Sequence, residues 1–295
     1  NNKFSRYFKF IFFLRYLFVI FFVAIVLFAT IPHFFDYKKK EAIISFNLSQ
    51  SYGLEIKRIE NIKFKSFPFP HLQISNLNGN LYSSDTVSKV EKLFIYPKLF
   101  SIYNYDNFQI RKIKLTKGEI QTDIKTINFL IQNIFNHKKK IIFKNLNLKI
   151  KDTKNFIIDI KKINFSNYGY YRNIISGKLF DKNFKIKLDD NLTNINFKLI
   201  NTGVSASLNL QNKIKNNPYS GSLKGSILQS NYKFDFIYND DSIEINNFFF
   251  RDKNLSFDSK GNIKLLPFFK INLTSEIKNF DTKNITNLKI DKLLE

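Results

Sequence analysis

The spacing of apolar and polar positions changes twice along the chain. Positions 16–35 hold no charged residue, and Lys3, Arg6, Lys9 and Arg15 stand in front of them. A helix rises about 1.5 Å per residue and a bilayer's hydrocarbon core is about 30 Å thick, so about 20 apolar residues cross it. Residues 16–31 are slightly short by themselves. With residues 10–14 added, and Arg15 snorkelling toward headgroups, they predict one crossing that ends at Pro32. A cleavable signal peptide fits less well. The run exceeds a usual h-region of about 7–15 residues, and His33-Phe34-Phe35 is not a small-residue cleavage site.

Residues 37–51 then read as a helix that carries the chain off the membrane, with Ile44 and Leu48 on one face and Gly53 as its C-terminal stop. From Leu54 the period becomes two. Leu54/Ile56 and Ile62/Phe64 alternate with charged partners, the mark of half-buried strands. One later segment returns to helical spacing, with Ile127, Leu130, Ile131, Ile134 and Phe135 ahead of Lys138-Lys139-Lys140. It predicts a short amphipathic helix that packs against a sheet in preference to lying on a membrane.

Beyond it come Leu146/Leu148/Ile150, Phe156/Ile158/Ile160, Phe184/Ile186/Leu188, Ile195/Phe197/Leu199 and Val204/Ala206/Leu208/Leu210. Tyr232/Phe234/Phe236/Tyr238, Ile243/Ile245, Leu255/Phe257, Ile263/Leu265 and Phe269/Ile271/Leu273 continue the pattern. Corners are expected at Asp181-Lys-Asn183, Asp189-Asp-Asn191, Thr202-Gly203, Asn239-Asp-Asp241, Arg251-Asp-Lys-Asn254 and Lys260-Gly261. Successive hairpins of this kind make an antiparallel meander. Roughly fifteen strands at about 4.8 Å each would span about 70 Å. Their apolar face needs a cover, which a curled sheet, a two-sheet sandwich or an open groove would each provide differently.

Charge and composition alter this picture little. The formal net charge is +23 over 295 residues. Yet the lysines alternate singly with apolar residues, as in Ile110-Arg-Lys-Ile-Lys-Leu115, and read as a solvated sheet face; no nucleic-acid partner is expected. The positive-inside rule leans to a cytoplasmic N-terminus and puts the bulk of the chain outside the cytoplasm, although Lys38-Lys39-Lys40 adds positive charge on the far side. There is no Cys, so neither disulfides nor a thiolate metal site hold the fold.

No catalytic chemistry is assembled. His33, His71 and His137 share no metal-ligand spacing, and the latter two read as surface or loop residues. G-x-S-x-G, P-loop and G-x-G-x-x-G motifs are missing, so an enzyme and a cofactor are not expected.

A resemblance adds to this reading. Tyr52-Gly-Leu-Glu-Ile56, Pro68-Phe-Pro-His-Leu-Gln-Ile74 with Asn76-Leu77, Val90-Glu-Lys-Leu-Phe-Ile-Tyr-Pro-Lys-Leu99 and Phe108-Gln-Ile-Arg-Lys-Ile-Lys-Leu-Thr-Lys-Gly-Glu-Ile120 follow an anchor and a short helix. Lys260-Gly-Asn-Ile-Lys-Leu, Phe269-Lys-Ile-Asn-Leu and Ile277-Lys-Asn-Phe-Asp281 come late in the chain. This order resembles the AsmA family of bacterial envelope proteins, with its TamB-like and YhdP-like members. Departures are the second Lys cluster beside the membrane and a length shorter than many members.

The resemblance implies a mainly β fold. An inner-membrane anchor (1–35) and a juxtamembrane helix (36–53) precede a periplasmic region (54–295) forming an elongated, curled antiparallel sheet with one short amphipathic helix. It also implies that the sheet shelters phospholipid acyl chains and supports outer-membrane lipid homeostasis, with the inner membrane, phospholipid and envelope proteins as partners. The groove residues expected on this reading are Phe184, Ile186, Ile195, Phe197, Leu208, Phe234, Phe236, Ile245, Phe257, Ile271 and Leu273. The alternative is a scaffold that assists outer-membrane protein assembly without carrying lipid.

Overall fold

A computed structural model describes residues 2–59, 61–104, 107–152, 155–189, 191–211, 218–228, 230–265 and 268–281. The chain is mainly β, with one long apolar helix at its N-terminus and a single open sheet. Helix α1 (Asn2–Thr30) continues into a 3₁₀ turn (Ile31–Phe34), and the most apolar 18-residue window within Phe10–Phe34 has mean hydropathy 2.8. No residue of that window is buried in protein, so α1 is no core helix; its length and composition suit a membrane crossing.

Sixteen strands follow in the hydrogen-bonded order β1-β3-β4 and then sequentially to β16, with β2 attached to β3. They divide by packing into two compact units, the first formed by Asn1–Ile120 and Lys138–Ile141, the second by Gln121–His137 and Ile142–Glu295.

The first unit carries α2 (Glu41–Tyr52), β1 (Leu54–Arg58), β2 (Asn61–Lys65), β3 (His71–Leu81), β4 (Val87–Pro97) and most of β5 (Ile110–Asp123). Helix α2 starts four residues later than its periodicity predicts. It ends as expected at Gly53, which takes φ +60° and donates its amide to the Ser49 carbonyl at 2.9 Å. That left-handed conformation suits a residue without a Cβ, and a Cβ there would also overlap the Tyr82 ring. Ile44, Leu48 and Tyr52 of α2 are fully buried, as are Leu54, Leu72, Ile74, Leu77, Leu93 and Ile95 of the sheet. This unit therefore has an ordinary helix-on-sheet core.

The second unit contains α3 (Ile124–Phe135), β6 (Lys140–Asp152), β7 (Asn155–Ser166), β8 (Ile174–Leu179), β9 (Lys182–Leu188), β10 (Asn194–Leu199) and β11 (Val204–Leu210). It continues through β12 (Tyr219–Ile227), β13 (Ser230–Asn239), β14 (Ser242–Arg251), β15 (Leu255–Lys264) and β16 (Lys270–Phe280). Each strand pairs antiparallel with the next, the expected meander. Helix α3 packs on this sheet: Leu130 is buried, and the Phe135 ring meets Phe165 edge-on at 5.2 Å.

Two expectations need correction, and two strands lie outside the predicted set. Lys260-Gly261 is no corner; both residues lie inside β15, where Gly261 faces Leu273 across the ladder, so Leu255/Phe257 and Ile263 belong to one strand. Strands β8 and β12 escape the alternation rule because Gly177, Gly221 and Gly225 occupy inward positions. His71 is no surface residue: it is 5% exposed at the start of β3, its Nδ1 2.7 Å from the Phe69 carbonyl, with the rings of Phe94 and Tyr96 within 5.5 Å.

Candidate apolar sheet face

Residues directly opposite one another across a ladder point to the same side of a sheet. In the second unit the register joins Phe143, Phe165, Ile175, Ile186, Phe197, Ala206, Gly225, Tyr232, Phe250, Phe257 and Ile277 into one row across all eleven strands. At about 4.8 Å per strand the row is about 50 Å long. A parallel row holds Leu188, Ile195, Leu208, Leu223, Phe234 and Phe248. Others join Phe184 to Leu199, and Phe236 through Ile245 and Gly261 to Leu273; Ile263 opposes Ile271. All eleven sequence-predicted residues thus share one face.

Their burial is uneven. Phe184, Phe236 and Ile245 are buried, and Ile186, Ile195, Phe197, Leu208, Phe234 and Phe257 are half-buried. Ile271 is 52% and Leu273 43% exposed. Helix α3 lies at the β7 end of the face, and no helix of this unit follows it among the described residues. The side chains instead shield one another: Phe250 stacks on Phe257 at 5.0 Å, Phe234 and Phe248 lie 5.7 Å apart, and Tyr219 stacks on Tyr238 at 4.5 Å. Burial pushes the Tyr219 hydroxyl up to about 12, with Tyr238 and Asp240 adding to the effect.

Small inward residues are covered by aromatic neighbours. Phe236 lies over Gly221, Tyr232 over Gly225 and Phe184 over Gly177, each where a Cβ would stand, so these glycines are roofed by rings from the next strand. A shallow hollow of about 880 Å³ lies at β14–β16, lined by the polar Glu244, Asn246, Lys260, Asn262, Asn272 and Thr274 as well as by Ile245, Gly261, Ile271 and Leu273. The opposite face is polar, with Lys187, Lys198, Lys224, Lys233, Lys260 and Lys264 exposed.

Sequence reasoning misses Phe248 and Phe250 because strict alternation from Ile243 and Ile245 would turn Phe249 inward. A bulge at Asn246-Asn247 shifts the register between Ile245 and Phe248. The extra residue reverses the faces: Phe248 and Phe250 enter the apolar rows and Phe249 is left 36% exposed. Two adjacent Asn before three Phe are the signal that could have revealed it. No group of three or more His, Cys, Asp or Glu that could hold a metal occurs among the described residues.

The fold and face define a class: a β protein with one helix suited to a membrane crossing and a broad amphipathic sheet. No family model matches the chain, and no curated protein sequence matches it.

Proposed function

We propose that this protein is tethered by α1 to a bacterial inner membrane and uses the apolar face of β8–β16 in the periplasm to shelter phospholipid acyl chains. The observation that carries the reading is the continuous apolar row from Phe143 to Ile277 on a face whose side chains remain largely half-buried. Each CH₂ that leaves water on such a surface contributes about 0.8 kcal/mol, while the headgroup stays solvated. The N-terminal cations favour a cytoplasmic N-terminus and hence periplasmic placement of the sheet. The resemblance to the AsmA family supports the same reading and gives it an outer-membrane lipid role.

The bulge supplies a test with an internal control. A photoreactive benzoylphenylalanine replaces Phe248 or its neighbour Phe249 in the full chain, which is then irradiated in mixed micelles containing labelled phospholipid. Adducts at 248 and none at 249 are expected. Equal labelling, or none at either position, would remove lipid shelter and leave a scaffold for envelope proteins as the function.

A further inference from the structure

Two loops of the first unit are bonded to the last full turn of α1. In the tip between β2 and β3, Ser66 Oγ donates to the Ala29 carbonyl at 2.9 Å. That uses its only hydrogen, so the 2.6 Å contact with His33 Nε2 makes the imidazole N–H the donor to Ser66 Oγ. In the loop after β4, which contains a second 3₁₀ turn (Leu99–Ile102), the Tyr103 hydroxyl donates to the Phe28 carbonyl. The Phe28 ring packs 5.0 Å from Tyr103 and 6.0 Å from Phe100. Phe28 and Ala29 lie inside the apolar stretch that ends at Phe34, roughly 10 Å from its end at helical rises.

The same loops carry exposed aromatic side chains. Phe67 is 86%, Phe69 67% and Phe100 79% exposed, beside Phe34 at 83%. Exposed phenylalanines of this number cost solvation in water. Lys63, Lys65 and Lys98 are exposed on the strand and loop immediately behind them. Apolar tips with cations one step back are the arrangement that enters the boundary between acyl chains and anionic headgroups.

We infer that the tips at residues 66–70 and 99–103 insert into the membrane interface beside α1, with Phe67, Phe69 and Phe100 among the acyl chains and the three lysines at anionic headgroups. The base of the first unit is thereby seated on the bilayer at three points, and the sheet is not left swinging on a single helix. The inference rests on α1 crossing the membrane.

The absence of cysteine makes the test direct. Single substitutions Phe69→Cys, Phe100→Cys, Ile20→Cys and Ser84→Cys are labelled with the fluorophore NBD in the full chain. The protein is reconstituted into vesicles of phosphatidylcholine and phosphatidylglycerol, with and without a nitroxide near the top of the acyl chains. Ser84 is exposed in the turn at the far end of β3, about 35 Å away along the strand. Blue-shifted, nitroxide-quenched emission is expected at 69 and 100, with unquenched, water-like emission at 84. Buried emission at Ile20 with water-like emission at 69 and 100 overturns the inference and leaves the crossing intact. Water-like emission at Ile20 overturns both.

Discussion

Asp189, in the turn between β9 and β10, shows how one side chain organises a corner. Its Oδ1 accepts from the Thr193 and Asn194 amides at 2.7 and 3.1 Å, and its Oδ2 from Thr193 Oγ1 and Asn194 Nδ2 at 2.7 and 3.0 Å. Slight burial raises the carboxyl pKa, but these hydrogen bonds outweigh it and leave the group below its ordinary value. A folded-state pKa below the unfolded one gives stability that is present above about pH 4 and is lost as pH falls through the folded value. Asp189→Ala is expected to cost about 1 kcal/mol at neutral pH and to flatten the acid limb of stability, measured by urea denaturation of the full chain in micelles followed by circular dichroism. The corner was readable in the sequence as Asp189-Asp-Asn191, because an Asp side chain caps local backbone donors. The burial of His71 was not, since only the tertiary approach of Phe94 and Tyr96 encloses it.

At the scale of elements, periodicity succeeds where one face is buried and every second residue is apolar. It finds α2 from Ile44 and Leu48 and the hairpins from β9 to β11. It fails for β12, whose inward positions include Gly221 and Gly225, and at the bulge in β14. The glycines are not weak points of the strand. At Gly225 a Cβ would overlap the Ser205 carbonyl and stand 2.5 Å from Tyr232 Oη. Gly225→Val is therefore expected to destabilise the second unit by roughly 1–3 kcal/mol, with faster amide hydrogen exchange concentrated in β11–β13. Exchange accelerated evenly across the sheet would argue against this local packing account.

For the molecule as a whole, charge is unevenly opposed. On the polar face of the second unit Lys161 faces Lys178, Lys185 faces Lys198, Lys224 faces Lys233 and Lys264 faces Lys270 across the ladder. Like charges directly opposite destabilise a sheet, and salt screens them. Raising ionic strength from low values is expected to raise the denaturation midpoint of the full chain, and Lys224→Gln to weaken that dependence; an unchanged midpoint would count against it.

Taken by itself, the sequence determined the apolar helix, the run of alternating strands and the apolar side of each predicted hairpin, because each follows from local spacing of apolar residues. Tertiary structure decided the rest: which way Phe248 and Phe249 point, how the rings roof Gly177, Gly221 and Gly225, and where Ser66 and Tyr103 meet α1. These depend on register and on contacts between residues distant in the chain, such as Tyr103 and Phe28, and no local periodicity encodes them.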